Sequence, residues 1–399
     1  MSVSSGSKVV IVGGGIGGMT AALCLAKQGV EVELFEQAAR FEEIGAGIQL
    51  SPNASRVLHD VGLESALRNV AFLPQGVEMR DWKSGRVLSA SVLGATAQTT
   101  FGAPYYHVHR ADLMAILFAA AQRSKQITLR TAARVAAVTE TDHEVNVEVD
   151  GQVHRGAVVV GADGIRSVVR ACLFGAESPA FTGCVAWRAL VPVDRLPKGL
   201  IRPMSTAWWG PGKHFVHYYV RRGELINCVC VVEKSGWEVE SWTQLGEHAE
   251  LKRDFAGWHS DIQSLIDAMD KDACFKWALF DRPPMKRWGR GRTTLLGDAC
   301  HPTLPFMAQG AAMAIEDGAV LARCVVATTD VRAGLQRYED LRRARTAGVQ
   351  AGSRRNAKLF HLSGAAAWLR NRAMGRAPAN ALTALFSYDA LSATNEPKT

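Results

Sequence analysis

The chain has 399 residues, of which 48% are hydrophobic and 21% charged, and its formal net charge is +8. This composition is typical of a folded protein of two or three domains and excludes a disordered or fibrous chain. Eight cysteines without regular spacing argue against a disulfide scaffold, and neither a secretion leader nor an apolar run of about 20 residues is found, so we expect a cytoplasmic protein that does not span a membrane.

The first 36 residues predict a βαβ unit. Val9–Val12 is a β-branched run, Ile16–Gln28 has apolar residues at helical spacing, and Val30–Phe35 alternates as a strand does. Gly29 is placed to end the helix. A strand, a helix and a second strand in so short a span indicate the start of a parallel sheet.

A glycine-rich turn joins the first strand to the helix. It reads Gly13-Gly14-Gly15-Ile16-Gly17-Gly18, a GxGxxG sequence. Gly13 permits the tight turn, Gly15 lets the backbone approach a pyrophosphate, and Gly18 lets the helix pack closely on the strand. Glu36, at the end of the second strand, is placed to accept hydrogen bonds from a ribose diol. The turn therefore predicts a dinucleotide at the helix N-terminus, and the acid disfavours NADP while leaving NAD and FAD open.

The chain after residue 36 alternates between helices and strands. We expect a helix at 56–68, a polar, turn-rich excursion from the first domain at 76–100, a helix at 110–124 and several strands over 126–160.

Residues 180–280 differ in composition from the rest of the chain. Seven tryptophans lie there: Trp187, Trp208, Trp209, Trp237, Trp242, Trp258 and Trp277. Strand-like runs occur at 184–192, 204–209, 214–220 and 225–233. We expect an antiparallel sheet with a short helical part near 243–269, then a strand at 292–297, a helix from about Gly310, and a mostly helical end over 331–399.

Two later segments end in a strand followed by an acid. Val158–Ser167 contains Gly161-Ala162-Asp163-Gly164, and Leu295–Pro302 contains Gly297-Asp298. Each segment alone is typical of a strand, a turn and a helix capped by the Asp. The choice between FAD and NAD rests on these two segments, because together, in this order after a GxGxxG turn, they are less easily explained as separate capped helices.

On these three segments the chain resembles the single-component FAD-dependent aromatic hydroxylases, in the branch of the salicylate, 3-hydroxybenzoate and 6-hydroxynicotinate hydroxylases. Four further segments match: His109–Leu113, Gly45–Gln49, Val185–Leu190 and Met307–Asp317. The resemblance covers nearly the whole chain. It implies an α/β fold like that of 4-hydroxybenzoate hydroxylase: a Rossmann-like FAD-binding domain with an inserted antiparallel-sheet substrate domain and a helical C-terminus.

The resemblance also implies domain limits and cofactor contacts. The FAD-binding domain would comprise residues 1–75, 101–178 and 286–330, the substrate domain residues 76–100 and 179–285, and the C-terminal helical region residues 331–399. The implied FAD contacts are Gly13, Gly15, Ile16, Gly17, Gly18, Glu36, Gln37, Arg110, Val135, Asp163, Asp298, Gly310 and Ala311. Arg110 would approach the diphosphate and Asp298 the ribityl chain, and the helix from Gly310 would point its N-terminus at the flavin pyrimidine ring. Asp163 is attributed to both FAD and nicotinamide.

The reaction that the resemblance implies is oxygen insertion into an electron-rich ring through a flavin C4a-hydroperoxide, with O₂ and transient NADH or NADPH as co-substrates. His214 and Tyr218 match the His-x-x-x-Tyr that faces substrate in the 3-hydroxybenzoate and 6-hydroxynicotinate hydroxylases. Strand alternation places them on one face with Val216. His214 is the expected base or proton relay, and Tyr218 is expected to act as a hydrogen-bonding partner.

The remaining implied substrate contacts are Gln49, Arg188, Pro305 and Phe306. Relatives carry a polar residue at the position of Pro305 or Phe306, and the 6-hydroxynicotinate enzyme carries a His where Gln49 stands. Both differences favour a hydroxybenzoate, with salicylate (hydroxylated with loss of CO₂) and 3-hydroxybenzoate leading and a hydroxypyridine carboxylate as the alternative. His301, beside the Gly-Asp turn, is expected to be structural, and no metal site is expected.

Other classes remain as alternatives. An NAD-dependent dehydrogenase explains the βαβ unit but not the later segments, and a lipid-acting FAD epoxidase or reductase or a non-catalytic FAD sensor shares the FAD segments. Residues 342–376 contain Arg and Lys but no Asp or Glu. We expect a solvated basic helix face there, without a nucleic-acid partner, and a helix at 364–386 that packs on the body or across a homodimer.

Overall fold

A computed structural model describes residues 8–40, 46–234, 236, 244–374 and 382–393, whose strands form four sheets. A five-stranded and a seven-stranded sheet organise this part of the chain. The strands are β1 (Lys8–Val12), β2 (Glu31–Phe35), β3 (Gly47–Leu50), β4 (Gly76–Asp81), β5 (Val87–Val92), β6 (Tyr106–His109), β7 (Ile127–Arg130), β8 (Val135–Glu140), β9 (Val145–Val149), β10 (Gln152–Gly156), β11 (Val158–Gly161), β12 (Ala180–Pro192), β13 (Met204–Gly210), β14 (Lys213–Val220), β15 (Leu225–Glu233), β16 (Phe275–Asp281) and β17 (Thr293–Leu295).

Helices pack against both of these sheets and make up most of the described chain after Gly310. They are α1 (Ile16–Lys27), α2 (Pro52–Asp60), α3 (Glu64–Val70), α4 (Gly94–Phe101), α5 (Arg110–Arg123), α6 (Val168–Phe174), α7 (His248–Asp254), α8 (Ser260–Asp267), α9 (Gly310–Val326), α10 (Val331–Phe360), α11 (Gly364–Met374) and α12 (Thr383–Phe386). No helix within the described ranges combines the length and apolarity that a membrane crossing requires. Gly45, Trp237, Trp242 and the end of the chain after Ala393 lie outside the described residues.

The predicted βαβ unit is confirmed. β1, α1 and β2 belong to a parallel sheet of strand order β17-β11-β1-β2-β7. Glycine lets the helix approach the strand, because a Cβ on Gly18 would stand 2.0 Å from the carbonyl oxygen of Gly13. Since the strands are parallel, Val12, Phe35, Gly161 and Leu295 bring their carboxyl ends to one edge of the sheet. The segments that follow these four strands therefore meet there.

The single helix predicted at 56–68 is wrong, because two helices occupy this part of the chain. α2 begins earlier, at Pro52, whose fixed φ suits the first helical turn. Gly62 adopts a φ of +83°, which ends α2 and turns the chain before α3 begins at Glu64.

The second sheet has seven strands in the order β16-β12-β15-β14-β13-β4-β5. It is mixed and not purely antiparallel as expected, because β13 pairs with β4 in parallel. The excursion at 76–100 supplies β4 and β5, and the long segment between β4 and β13 provides the crossover that a parallel pair needs. On this topology we propose that residues 76–100 and 179–285 form one substrate-binding unit.

A buried charge cluster connects α9 to α10. The Arg342 side chain is fully buried, with Nη2 2.6 Å from Glu316 Oε2 and Nε 2.7 Å from Asp317 Oδ1. Asp317 also accepts hydrogen bonds from His301 Nε2 at 2.5 Å and from the backbone N–H of Gly297 at 3.1 Å. Burial alone would raise the pKa of Asp317, but the charges and hydrogen bonds of His301 and Arg342 lower it to about 2. The cluster therefore fixes the Gly297-Asp298 turn to both helices.

The solvated basic face predicted for residues 342–376 is wrong at several positions. Arg345 pairs with Glu316 at 2.7 Å, and Arg354 pairs with Asp281 of β16 at 2.5 Å. The neutralising acids come from α9 and from the second sheet, so the segment's own composition does not reveal them. His301 has the structural position expected of it. Cys300, His301 and Asp317 lie close enough together to be considered as metal ligands. The Arg342 guanidinium is already bound to Asp317, and its positive charge disfavours a metal cation there.

We expect the Arg342→Met variant to lose about 3–5 kcal/mol of unfolding free energy, because it leaves Glu316 and Asp317 as buried carboxylates without their shared cation. Urea titration of the protein, followed by circular dichroism, measures this loss. The matched control is Arg343→Met, which removes a partly exposed partner of Glu339 on the same helix and costs below about 1 kcal/mol. Equal midpoints for the two variants would contradict a central role for the cluster.

Candidate active site

A cavity of about 270 Å³ lies between the two sheets. It is lined from the first sheet's side by Asp298, by residues 302–305 and by the start of α9, and from the second sheet's side by residues of β12, β14, β15 and β16. Gly47, Ile48 and Gln49 of β3 form a third wall. Because loops at the carboxyl ends of parallel strands commonly hold ligands, this is the position at which a bound nucleotide and a small substrate would meet.

The glycine-rich turn has one residue that faces open space. The position of a Cβ on Gly13 is 2.4 Å from Ala162 O, and a Cβ on Gly17 would stand 2.6 Å from Leu296, so both glycines allow protein to pack. No atom of the described residues lies within 4 Å of a Cβ on Gly15, which precedes the first residue of α1. The unpaired N–H groups of α1 are directed to this space, which suits a diphosphate.

Glu36, which directly follows β2, accepts a hydrogen bond from the glycine-rich turn. Its Oε2 accepts a hydrogen bond from Gly14 N at 2.8 Å and its Oε1 from Ala38 N at 2.8 Å. Each oxygen keeps lone pairs for a ribose hydroxyl. Gln37 is exposed on the loop that follows, and Val135 is 6% exposed at the start of β8. Ile16 faces inward, so only its backbone is available to a ligand.

The two acids of the later segments have different surroundings. Asp163 Oδ2 accepts hydrogen bonds from Val168 N at 2.7 Å and Val169 N at 3.1 Å, so this carboxylate caps α6, as its segment alone suggests. The Asp298 side chain is exposed to the cavity that it lines. Burial by the protein on its other sides raises the pKa of Asp298, although the positive charges of His301 and Arg110 oppose this shift. Asp298 is the better placed of the two to accept a ligand's hydroxyl groups.

Several residues at this edge of the sheet are placed to contact an FAD. Arg110 begins α5 close enough to Asp298 to act on its charge, so a cation stands beside the acid at this edge. Gly310 and Ala311 line the cavity at the start of the 17-residue helix α9. The open space at Gly15 and the cavity-facing carboxylate of Asp298 are the donor and acceptor sites that a diphosphate and a ribityl chain need. The residues present fit the group.

A ladder of side chains on α10 holds the loop that borders the cavity. Gln350 donates to Pro302 O at 2.8 Å, Ser353 to Leu304 O at 2.6 Å and Asn356 to Phe306 O at 3.1 Å. Donors three residues apart lie on one face of a helix, so α10 fixes three carbonyls of this loop in turn.

The alternation of β14 places His214, Val216 and Tyr218 on the cavity, as the sequence predicts. The opposite face carries Phe215, which is buried in a separate core. Burial and the neighbouring His361 ring hold the pKa of His214 well below its ordinary value, so its imidazole is neutral. A neutral imidazole is a proton acceptor.

Tyr218 belongs to a second polar group on the cavity wall. Tyr105 Oη donates to Gln49 Oε1 at 2.5 Å, which leaves the Gln49 amide N–H to donate to Tyr218. Burial raises the pKa of Tyr218, although the charge of Arg188 and the Gln49 hydrogen bond oppose the shift. Tyr218 therefore keeps its proton and can donate it to a ligand oxygen.

Arg188 is the cation of the cavity wall. It lies on β12 with its guanidinium carbon 4.4 Å from the centre of the Trp277 ring, an arrangement that fixes the group by cation–π attraction.

Phe306 is a correction to the expected substrate contacts. Pro305 lines the cavity, but the Phe306 ring turns inward and packs 5.0 Å from His214 and 6.1 Å from Phe360, measured between ring centroids. A benzyl side chain gains more from burial behind the wall than from exposure in the cavity.

Sequence reasoning missed four residues near the cavity: Tyr105, Trp277, Glu233 and His361. His361 lies more than a hundred residues after His214 in sequence, and no motif links them. A lone His at the end of a long helix is the only signal, and it is a weak one.

Comparisons with known proteins place the chain in context. The FAD binding domain family matches residues 6–353. A 3-amino-4-hydroxybenzoate 2-monooxygenase of Streptomyces platensis is 40% identical over 369 residues, which cover 92% of each chain. A 6-hydroxynicotinate 3-monooxygenase of Bordetella bronchiseptica is 39% identical, with 88% of this chain and 91% of that protein covered.

Two further proteins extend this set. A 3-hydroxybenzoate 6-hydroxylase of Polaromonas naphthalenivorans is 36% identical, with 91% of this chain and 90% of that protein covered. A solved salicylate hydroxylase substrate complex superposes with a TM-score of 0.84 at 25% identity, with 98% of each chain covered. The similarity therefore extends over both sheets and most of the helical end.

We expect Gly15→Ala to weaken FAD binding by at least about ten-fold, because a methyl group enters the open space where a diphosphate would approach the backbone. Flavin fluorescence titration of the FAD-free protein measures the affinity. Gly348→Ala in α10 is the matched control, since its Cβ also meets no described atom within 4 Å, but it lies away from the cavity. Equal FAD affinities for the two variants would contradict the assignment of this turn.

Proposed function

The chain belongs to the FAD binding domain family and is a single-component flavin-dependent aromatic hydroxylase, and from this premise we propose that its substrate is a small phenolic carboxylic acid. The observation that carries the proposal is the cavity wall itself. A neutral histidine, a protonated tyrosine and an arginine face one cavity of about 270 Å³ between the two sheets.

We propose that His214 takes the proton of the substrate's hydroxyl group. A phenol becomes a stronger nucleophile when it loses this proton, and a neutral imidazole within hydrogen-bonding reach is a suitable acceptor. Tyr218, held by Gln49 on the Arg188 side of the wall, would donate its O–H to another oxygen of the substrate. FAD, reduced by NAD(P)H, supplies with O₂ the electrophilic oxygen of the reaction.

The carboxylate is assigned to Arg188. The guanidinium is fixed over Trp277 on the same wall as Tyr218, and a planar cation binds a carboxylate through two parallel hydrogen bonds. With the hydroxyl at His214 and the carboxylate at Arg188, the ring lies along the apolar side chains of Val216, Val229 and Leu279. Apolar walls also exclude water from the reacting oxygen.

Within this class we propose a hydroxybenzoate, with salicylate or 3-hydroxybenzoate first. The relatives act, by their names, on 3-hydroxybenzoate, on 3-amino-4-hydroxybenzoate and on 6-hydroxynicotinate. The pyridine acid is the second candidate, because a relative that is 39% identical is named for that substrate. We place the enzyme in the cytoplasm, where NAD(P)H is available and the eight free thiols of the chain stay reduced.

The first test is a substrate panel for the FAD-loaded enzyme: salicylate, 3-hydroxybenzoate, 3-amino-4-hydroxybenzoate and 6-hydroxynicotinate, each with NADH and with NADPH. We expect kcat/KM for one benzene-ring acid to exceed that for the pyridine acid by about ten-fold or more. Product masses identify the hydroxylation, and CO₂ release distinguishes salicylate chemistry. A preference for 6-hydroxynicotinate, or NADH consumption without any hydroxylated product, contradicts the proposal.

The second test is His214→Asn, for which we expect hydroxylated product per bound flavin to fall by about 10²-fold or more, since a general base contributes that much. His217→Asn is the matched control. His217 lies on the same strand but faces away from the cavity, where Trp208 Nε1 donates to it at 2.9 Å. Its product yield should stay within about three-fold of the wild type, and an equal loss in both variants would remove His214 from the chemistry.

A further inference from the structure

Behind the cavity wall, three side chains form a hydrogen-bonded row. His214 Nδ1 lies 2.8 Å from His361 Nε2, and His361 Nδ1 lies 2.8 Å from Glu233 Oε1. The His214 and His361 residues are 3% and 7% exposed, whereas the Glu233 side chain is 56% exposed. The row therefore leads from the cavity to the surface.

We propose that His214, His361 and Glu233 form a proton relay that carries the hydroxyl proton of the substrate from the cavity to solvent. The inference rests on the proposed function, because the proton comes from a phenol bound at His214. It adds His361 and Glu233 to the reaction as relay residues, although neither lines the cavity. Without such a path, the proton taken up by His214 stays next to the reacting ring.

The hydrogen bonds give the row a direction. Glu233 can only accept from His361, so the His361 proton lies on Nδ1 and its Nε2 is an acceptor. His214 then donates from Nδ1 to His361, which leaves Nε2 of His214 without a proton. Because Nδ1 is used by His361, Nε2 is the ring nitrogen available to a ligand in the cavity. The hydrogen bond that Glu233 accepts therefore leaves Nε2 of His214 without a proton and able to act as a base.

The transfer balances bond by bond. The phenol O–H bond breaks as an Nε2–H bond forms on His214, whose Nδ1–H then passes to Nε2 of His361. The Nδ1–H of His361 passes to the Glu233 carboxylate, which releases it to water. When the product oxygen is reprotonated by His214 Nε2–H, the same steps run in reverse and restore both rings. Each imidazole gains one proton and loses one, so no net charge accumulates on the buried rings.

Three elements converge to hold the row in place. His361 directly follows the last residue of α10, Glu233 ends β15, and Gly212 lies in the turn before β14. Gly212 N donates to His361 O at 3.0 Å, and Glu233 N donates to Gly212 O at 2.9 Å. These backbone bonds fix the separation of the relay residues independently of their side chains.

Aromatic side chains pack against the buried end of the row. Phe306 and Phe360 contact the His214 ring at centroid distances of 5.0 and 5.4 Å, and the Trp209 ring stacks on Phe360 at 4.3 Å. Glu233 and Arg370 are the charged groups whose fields act on His361: the carboxylate favours its protonation and the guanidinium opposes it. His361 thus joins His214 to Glu233 through one hydrogen bond on each of its ring nitrogens.

The relay is tested by proton release in the absence of turnover. FAD-loaded enzyme without NADH is mixed in a stopped-flow instrument with 4-hydroxy-3-nitrobenzoate, at a pH at which the free probe is largely protonated. The absorbance of the bound phenolate reports its deprotonation, and a pH-indicator dye in weak buffer reports the proton that reaches solvent. We expect Glu233→Gln and His361→Phe to slow proton release by about ten-fold or more, with FAD affinity unchanged.

Two comparisons separate a relay from a merely structural contact. Glu233→Asp should restore much of the rate, and added formate should accelerate Glu233→Gln, whose missing group lies at the surface. The matched control is Glu224→Gln, at an exposed glutamate just before the other end of β15, which should release the proton at the wild-type rate. If Glu233→Gln acted only by disturbing the structure, the absorbance change of the bound phenolate would also be slow, and added formate would not accelerate it.

The outcomes distinguish the relay from the proposed function. A wild-type enzyme that hydroxylates a hydroxybenzoate, with proton release unaffected by Glu233→Gln or slowed equally by Glu224→Gln, overturns the relay alone. An enzyme that hydroxylates no acid of the substrate panel overturns the proposed function and the relay with it. Slow release restored by Glu233→Asp and by formate supports the relay.

Discussion

The buried pairing of Arg342 with Glu316 and Asp317 is the constraint on which the rest of the molecule depends. A buried charge is tolerated only when an opposite charge lies next to it. The position of α10 on α9 is therefore restricted to one in which Arg342 contacts both Glu316 and Asp317. Asp317 extends the match to His301 and to the Gly297 backbone, which sets the turn that carries Asp298. The acid in the cavity is thus placed by a cation that never touches the cavity.

The 30-residue helix α10 transmits this constraint to the second sheet. From Arg342 to Phe360 the helix spans about 27 Å at 1.5 Å per residue. Along that length its side chains hold the carbonyls of the 302–306 loop and pair with Asp281 of β16, and the next residue, His361, meets His214. The cofactor side and the substrate side of the cavity are therefore fixed by one rigid element, which explains how a cavity between two sheets keeps its shape.

The cavity wall separates two tasks by the neighbours of its polar groups. Tyr218 is held by Gln49, which is itself held by Tyr105, so this end donates a hydrogen bond and keeps its proton. His214 is kept neutral by burial and is connected outward through His361, so the other end accepts a proton. Tyr218 and His214 lie on one face of β14, but their different neighbours make Tyr218 a hydrogen-bond donor and His214 a proton acceptor. Under the proposed function, His214 would take the proton of the substrate's hydroxyl group while Tyr218 would hold another oxygen of the substrate by a hydrogen bond.

The sequence by itself determined the βαβ unit, the dinucleotide turn, the family, and the cavity positions of His214, Tyr218 and Arg188. The βαβ unit and the glycine turn follow from local spacing, because a glycine turn or an alternating strand constrains neighbours a few residues apart, whereas the family and the three cavity residues came from the resemblance of whole segments to known hydroxylases. The parallel pairing of β4 with β13, the inward turn of Phe306, the neutralisation of the basic segment and the row from His214 to Glu233 were decided only by the tertiary structure. Each depends on residues far apart in sequence, and the energy that fixes them is burial and charge matching, which no local pattern records.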